Sequence, residues 1–146
     1  MILPWAAAGR VGAPAPDSPT SASYLDLPTV VVLVLGLLVA GLCVVVGLRG
    51  RAPGRGSFAA VALLQVAVTA LAGVYAGRAL SGQDSTGPAW ELWAYLVTVV
   101  LLPAVAWIWA RTENSRWGSF VLAMAAFVAA VMAARSAQIW YGVGLA

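Results

Sequence analysis

The sequence predicts an all-α protein, a polytopic transmembrane bundle of four helices that run alternately up and down. Three observations predict this fold. The chain of 146 residues is 62% hydrophobic and only 9% charged, whereas about a quarter of the residues in a soluble domain are charged. It contains four uncharged apolar runs, each long enough to cross the core of a bilayer. The segments between these runs are short, which favours antiparallel neighbours.

The chain is expected to divide into a flexible tail, residues 1–26, and a single transmembrane domain, residues 27–146. Four prolines lie in the tail, and a helix does not continue through prolines at this density. The opening of the chain also differs from a secretory signal, because Pro4 interrupts it before an apolar core of the usual length has formed.

The four spans are predicted at residues 29–48, 58–77, 92–110 and 117–134. The first is rich in valine and leucine, and its length corresponds to roughly 30 Å of helix, the thickness of a bilayer core. Helices are favoured over strands because an open sheet would leave unpaired backbone groups in hydrocarbon. Pro103 removes one hydrogen bond from the third span and is expected to kink it; lining a cavity is a second role open to it.

Small residues four positions apart recur in the first, second and fourth spans. Such residues share one helix face and allow helix backbones to approach closely. We expect them to pack inside the bundle, and the alternative is a seam between two copies of the chain. The residues concerned are Gly36 and Ala40, then Thr69, Gly73 and Gly77, then two alanine ladders that run from Ala125 to Ala133 and from Ala126 to Ala134.

Three charged residues, Arg78, Glu91 and Arg135, fall at the same end of the predicted bundle. Glu91 is expected to pair with Arg135 or Arg78. Tyr95 and Gln138 each lie one helical turn after a charged member, on the same face, and would complete a polar cluster at the outer rim. The alternative is that each charged side chain simply reaches the headgroup layer by itself.

Gln65 is the strongly polar side chain near the middle of a span. We expect its amide to form a hydrogen bond with another helix, which is worth about 0.6–2 kcal/mol in a membrane. Contact with a pore or a substrate is the alternative interpretation.

The composition argues against most chemistry. The chain has no histidine and a single cysteine, Cys43, so histidine-ligated haem, histidine zinc sites and an internal disulfide are excluded. No paired carboxylates are present to act as acid and base. We therefore expect no catalytic residue, no metal and no cofactor. Nucleic acid is not an expected partner either, because the arginines are few and lie between apolar spans.

A resemblance is carried by residues in the second half of the chain. They are Glu91, Tyr95, Leu96, Leu102, Pro103 and Trp107, the run Glu113-x-Ser115-Arg116-Trp117-Gly118, and the run Arg135-x-x-Gln138-x-Trp140. This pattern resembles a group of small four-helix integral membrane proteins from high-GC Gram-positive, actinobacterial-type bacteria, to which no activity is assigned. The resemblance implies a bacterial plasma membrane and provides no catalytic residue.

The arginines predict the orientation in that membrane. Four spans place both termini on one side, and the two loops on the other side hold five arginines, Arg49, Arg51, Arg55, Arg111 and Arg116. The termini and the middle loop hold three, Arg10, Arg78 and Arg135. Because basic loops favour the cytoplasm, both termini are expected to be extracytoplasmic.

These features predict a membrane protein without catalytic activity of its own. In this interpretation the chain is a small accessory or assembly subunit that lies in the lipid bilayer and packs against a larger membrane complex. The alternative is a small homo-oligomeric transporter or channel, in which Gln65, Pro103 and the Glu91 cluster line a path. Partner contact or self-association is expected in either case.

Overall fold

The computed structural model describes residues 25–143, and within that range the regular secondary structure is all α-helix, without strands. The helices are α1 (Leu27–Leu48), α2 (Arg55–Leu80), α3 (Ala89–Thr112) and α4 (Arg116–Tyr141). All four are long and apolar enough to cross a membrane. The predicted four-helix transmembrane fold is confirmed, and the chain is a multi-pass integral membrane protein. Residues 1–24 of the predicted tail lie outside the described residues.

The helices extend beyond the predicted spans, most of all at the end of α4. The fourth span was predicted at residues 117–134, with Arg135 and Gln138 on the same helix or just beyond it, and α4 continues to Tyr141. Arg135 does not end the helix because a long charged side chain can reach the membrane surface while its backbone stays helical. The helix ends at Gly142, whose φ of +68° favours glycine. A Cβ atom there would lie 2.5 Å from the Thr86 Cγ2 atom.

Two helices begin at side chains that cap them. The Asp26 carboxylate accepts the backbone N–H of Thr29 at the start of α1, and Pro28 occupies the first turn, where the missing N–H of proline does no harm. The Ser115 hydroxyl accepts the backbone N–H of Trp117 at the start of α4. Asp26, predicted to end the tail, is therefore part of the helical domain.

Residues on α2 and α3 that face the core alternate at spacings of three and four, the pattern of helices that pack almost parallel. On α2 these buried residues are Ser57, Val61, Leu64, Val68, Leu71 and Tyr75, and on α3 they are Leu92, Leu96, Val99, Pro103, Ala106 and Ala110. The helix α4 buries a much wider face, built mainly from alanine. It packs most extensively against α1 and next against α3, whereas α2 packs less extensively against its neighbours α1 and α3.

The contact between α1 and α4 depends on small residues. A Cβ atom added at Gly36 would lie 2.8 Å from the Cβ atom of Ala130 and 3.0 Å from the carbonyl oxygen of Ala126. Only glycine fits at this distance, because real carbon contacts are about 3.5–4.0 Å long. The prediction that these residues pack inside the bundle is confirmed for α1 and α4.

Contacts at the two ends confirm that the helices alternate in direction. At one end, which we call the clasp end, Asp26 before α1 meets Arg78 near the end of α2 and Tyr141 at the end of α4. At the opposite end, which we call the arginine end, the Ser119 hydroxyl of α4 donates to the backbone carbonyl of Arg51 in the first loop.

Candidate functional site

Within residues 25–143 the structure contains one ion pair, and this pair lies at the clasp end. The Nη1 atom of Arg78 lies 3.0 Å from the Oδ2 atom of Asp26, and it also donates to the Tyr141 hydroxyl at 3.2 Å. The Tyr141 hydroxyl lies 3.4 Å from the same carboxylate oxygen. We call Asp26, Arg78 and Tyr141 the clasp, which joins the start of α1 to the ends of α2 and α4.

A second layer of polar contacts lies beneath the clasp. The hydroxyls of Thr29 and Tyr75 are 3.3 Å apart, and both residues are buried. The Tyr75 ring packs against Trp140, with ring centroids 5.3 Å apart, and lies 5.5 Å from the Arg78 guanidinium. The Thr29 and Tyr75 hydroxyls of this layer both have partners, so this arrangement stabilises the end of the bundle.

The ion pair predicted for Glu91 is not formed within residues 25–143. Arg78 binds Asp26 instead, and the side chain of Glu91 has neither an ion pair nor a hydrogen bond in the described part of the chain. The clasp is built by α1, α2 and α4, whereas Glu91 is in the first turn of α3, which contributes no side chain to the clasp although it packs against α2 and α4.

The remaining members of the predicted outer-rim cluster also lie apart from Glu91. The Nη1 atom of Arg135 donates to the Oε1 atom of Gln138, 3.1 Å away, within one turn of α4. Tyr95 is partly buried against the core. The structure therefore joins Arg135 to Gln138 and Arg78 to the clasp, and it does not bring the five predicted residues into one site.

Sequence reasoning missed Asp26 and Tyr141 as members of the clasp. One signal was available for Asp26, because an aspartate just before Pro28 and Thr29 is typical of the start of a helix. No comparable signal identifies Tyr141, whose position depends on how far α4 extends.

The predicted interhelical hydrogen bond of Gln65 is confirmed. Its Nε2 atom donates to the backbone carbonyl of Val100 on α3 at 3.0 Å. Val100 lies three residues before Pro103, in the turn where the proline ring crowds the backbone. The amide thus joins α2 to α3 beside the proline.

A cavity of about 330 Å³ lies between α2 and α3 beside this hydrogen bond. Its lining is apolar except for the Gln65 amide and the Trp107 indole, and it consists of Val61, Ala62, Gln65, Pro103, Ala104, Trp107 and Ile108. Pro103 thus lines a cavity, the second role that the sequence left open for it. We call this space the amide–indole cavity.

Two buried polar atoms beside this cavity have no partner within the described chain. They are the Oε1 atom of Gln65 and the Nε1 atom of Trp107. The Trp107 ring is held in place by Arg111, whose guanidinium carbon lies 4.1 Å from the ring centre, and by an edge contact with Phe58 at 6.0 Å. Sequence reasoning missed Trp107 as a candidate.

The small residues of α2 face outward, unlike those of α1 and α4. Thr69, Ala70, Gly73 and Gly77 are exposed, and a Cβ atom added at either glycine would meet nothing within 4 Å. We call these four residues the α2 small-residue face. The prediction that this ladder packs inside the bundle is wrong, because the core-facing side of α2 is made of large residues such as Leu64.

A scan against protein-family models found no match to this chain, and searches of curated proteins and of solved structures found none either. Function is therefore inferred from the contacts and surfaces described above.

Proposed function

We propose that this protein is a small, non-catalytic subunit of a larger membrane complex, and that a transmembrane helix of its partner packs on the α2 small-residue face. A seam between two copies of the chain is the competing use of the same surface. The observation that carries the proposal is the difference between the exposed surface of α2 and the exposed surfaces of the other three helices.

The exposed surfaces of α1, α3 and α4 consist mainly of large apolar side chains. Examples are Leu38 on α1, Ile108 on α3 and Phe127 on α4. Such side chains suit contact with acyl chains. On α2, large exposed residues such as Leu63 and Val66 give way to the small-residue face toward the clasp end.

A face of small residues favours a helix over lipid. Association inside a membrane gains little from burial of apolar area, because lipid is as apolar as leucine. It depends instead on close approach of backbones, which Gly73 and Gly77 permit because neither has a side chain. The pair has the spacing of four that is typical of helix–helix seams in membranes.

The polar groups of the bundle support a structural role over transport. Buried hydroxyls are bonded within the chain, as in the contact between Thr29 and Tyr75 or the bond from Ser136 to its own helix. The Gln65 amide is bonded to α3, and the Thr69 hydroxyl donates to the Gln65 carbonyl. A transport path needs a succession of accessible polar groups. The groups named here are engaged with one another, and the two unpartnered atoms, Gln65 Oε1 and Trp107 Nε1, belong to side chains that line one cavity.

The proposed setting is the plasma membrane of an actinobacterial-type bacterium, with both termini extracytoplasmic. The support for this orientation is the arginine end, where Arg49, Arg51 and Arg55 lie in or next to one loop and Arg111 and Arg116 next to the other. Loops rich in arginine favour the cytoplasmic side.

The experiment is purification of the tagged chain from the membranes of its source in mild detergent. A partner in constant stoichiometry is expected with the wild-type chain and is expected to be lost with Gly73→Leu, because the added side chain keeps the helices apart. The matched control is Gly41→Leu, at a second helical glycine with nothing within 4 Å of an added Cβ atom. A partner retained by Gly73→Leu, or a pure homo-oligomer, contradicts the proposal.

A further inference from the structure

We propose that the amide–indole cavity binds a neutral membrane lipid whose head carries both a hydroxyl and a carbonyl, such as a monoacylglycerol or a diacylglycerol. This site is separate from the α2 small-residue face and does not depend on the proposed partner.

The first argument is the pair of unpartnered polar atoms. The Oε1 atom of Gln65 needs a hydrogen-bond donor, and the Nε1–H group of Trp107 needs an acceptor. Buried polar groups in proteins nearly always have partners, so each exception calls for an explanation. Here the two exceptions are of opposite type, and both side chains line the same cavity. A ligand that offers one donor and one acceptor satisfies both when the two side chains turn toward the cavity, since each atom is covered by the protein in this structure.

The second argument is the size and character of the cavity. Its volume of about 330 Å³ equals about eleven times the share of one water molecule in the liquid. A single bridging water would leave most of the space empty, and the apolar lining would not hold a cluster of waters. The space therefore suits an apolar body with a small polar head.

The third argument is location and access. The cavity lies between α2 and α3, which pack together less extensively than α1 and α4 do. Trp107 is near the end of α3, one turn before Arg111, so the cavity lies in the half of the bundle toward the arginine end. A lipid head near that surface could place its first chain segment among Val61, Pro103 and Ile108.

The Gln65 Oε1 atom needs a hydrogen-bond donor and the Trp107 Nε1–H group needs an acceptor, and these two needs distinguish among lipids. An ionised fatty acid carries only acceptors, so it would leave the Gln65 Oε1 atom without a donor. A fatty-acid ester lacks the hydroxyl and fails in the same way. A monoacylglycerol provides the hydroxyl for Gln65 and the ester carbonyl for Trp107.

The test compares three probes on the purified full-length chain: mono-oleoylglycerol, methyl oleate and oleate. Native mass spectrometry measures how much of each probe the protein retains after detergent removal. We expect one retained mono-oleoylglycerol per chain and an apparent affinity about tenfold higher than for either other probe, the difference expected for one hydrogen bond. Equal retention of the three probes would overturn the proposal. Because this comparison uses the wild-type chain, it does not depend on the purification of any variant.

Two substitutions then assign the site. Gln65→Leu removes the acceptor and is expected to reduce the tenfold preference to less than about threefold. Trp107→Phe removes the N–H group while keeping an aromatic ring; because all three probes offer an oxygen to that group, it is expected to lower the affinity for all three by up to about tenfold and to leave the preference unchanged. The control is Trp117→Phe, an exposed tryptophan of the same end that also lies beside an arginine; it should keep both the full affinity and the full preference. A preference that survives Gln65→Leu, or affinities that Trp107→Phe leaves unchanged, would overturn the assignment.

A diazirine-bearing monoacylglycerol gives an independent readout. Photolysis is expected to label peptides that contain residues 61–65 or 103–108. Labelling confined to α1 or α4 would place the lipid elsewhere and refute the cavity as its site.

Discussion

Substitution of Gly36 by alanine tests the packing between α1 and α4, the most extensive helix contact in the bundle. The new Cβ atom would lie 2.8 Å from the Ala130 Cβ atom and 3.0 Å from the Ala126 carbonyl oxygen. The first distance is about 0.7 Å shorter than an ordinary carbon contact. Both opposing atoms belong to alanines on a helix, so no flexible side chain can move aside and the helices must separate.

The magnitude follows from two opposing effects. Overpacking of this kind costs about 1–3 kcal/mol, and alanine is better than glycine within a helix by about 0.5–1 kcal/mol. We therefore expect Gly36→Ala to lower the free energy of unfolding by about 1.3 kcal/mol, the middle of the range from 0 to about 2.5 kcal/mol that the two effects allow. The measurement is an unfolding titration with SDS in mixed micelles, followed by circular dichroism.

The matched control is Gly41→Ala on the same helix. An added Cβ atom meets nothing within 4 Å there, so the substitution is expected to be neutral or to stabilise by up to about 1 kcal/mol. If the two variants were equally stable, or if Gly36→Ala were more stable than wild type, the packing described for α1 and α4 would be refuted.

Two further predictions concern the clasp and the orientation. Asp26→Asn should lower the free energy of unfolding by about 1.5–3 kcal/mol, because it removes the charge from the carboxylate that binds an arginine, whereas Glu91→Gln should change it by less than about 0.5 kcal/mol; equal losses in SDS titration would contradict the clasp. In intact cells a membrane-impermeant maleimide should label Gln83→Cys and not Gly54→Cys, with the buried Cys43 as the unlabelled background. The reverse labelling pattern would place the arginine end outside.

The sequence was sufficient for the fold because continuous apolar runs of bilayer length have few other uses. The ends of the helices were harder to predict, since a charged residue such as Arg135 does not break a helix. The bond of Gln65 to another helix could be expected from the cost of an unpaired amide in hydrocarbon. The orphan N–H of Trp107 could not, because it depends on how α2 and α3 lie against each other around Pro103.

Pairing at the clasp end shows why side-chain contacts are harder to predict than spans. Arg78, Glu91 and Arg135 all fall at one end of the bundle, and the sequence indicates that shared depth correctly. It does not indicate how each helix is rotated about its axis or which helices are neighbours. Those two quantities direct Arg78 to Asp26 and leave Glu91 outside the clasp. The rotation of α2 about its own axis also turns Gly73 and Gly77 outward.

The central proposal, that α2 binds a helix of another protein, is tested most directly by site-specific photo-cross-linking in the source membrane. A photoreactive amino acid is introduced at Val66 on α2 or at Leu38 on α1, which are exposed to 67% and 66%. Val66 lies two turns from Gly73 on the same side of the helix. We predict one discrete protein adduct from the Val66 position and only lipid adducts from the Leu38 position. An adduct of twice the 15.0 kDa chain mass, or no protein adduct from Val66, would contradict the account.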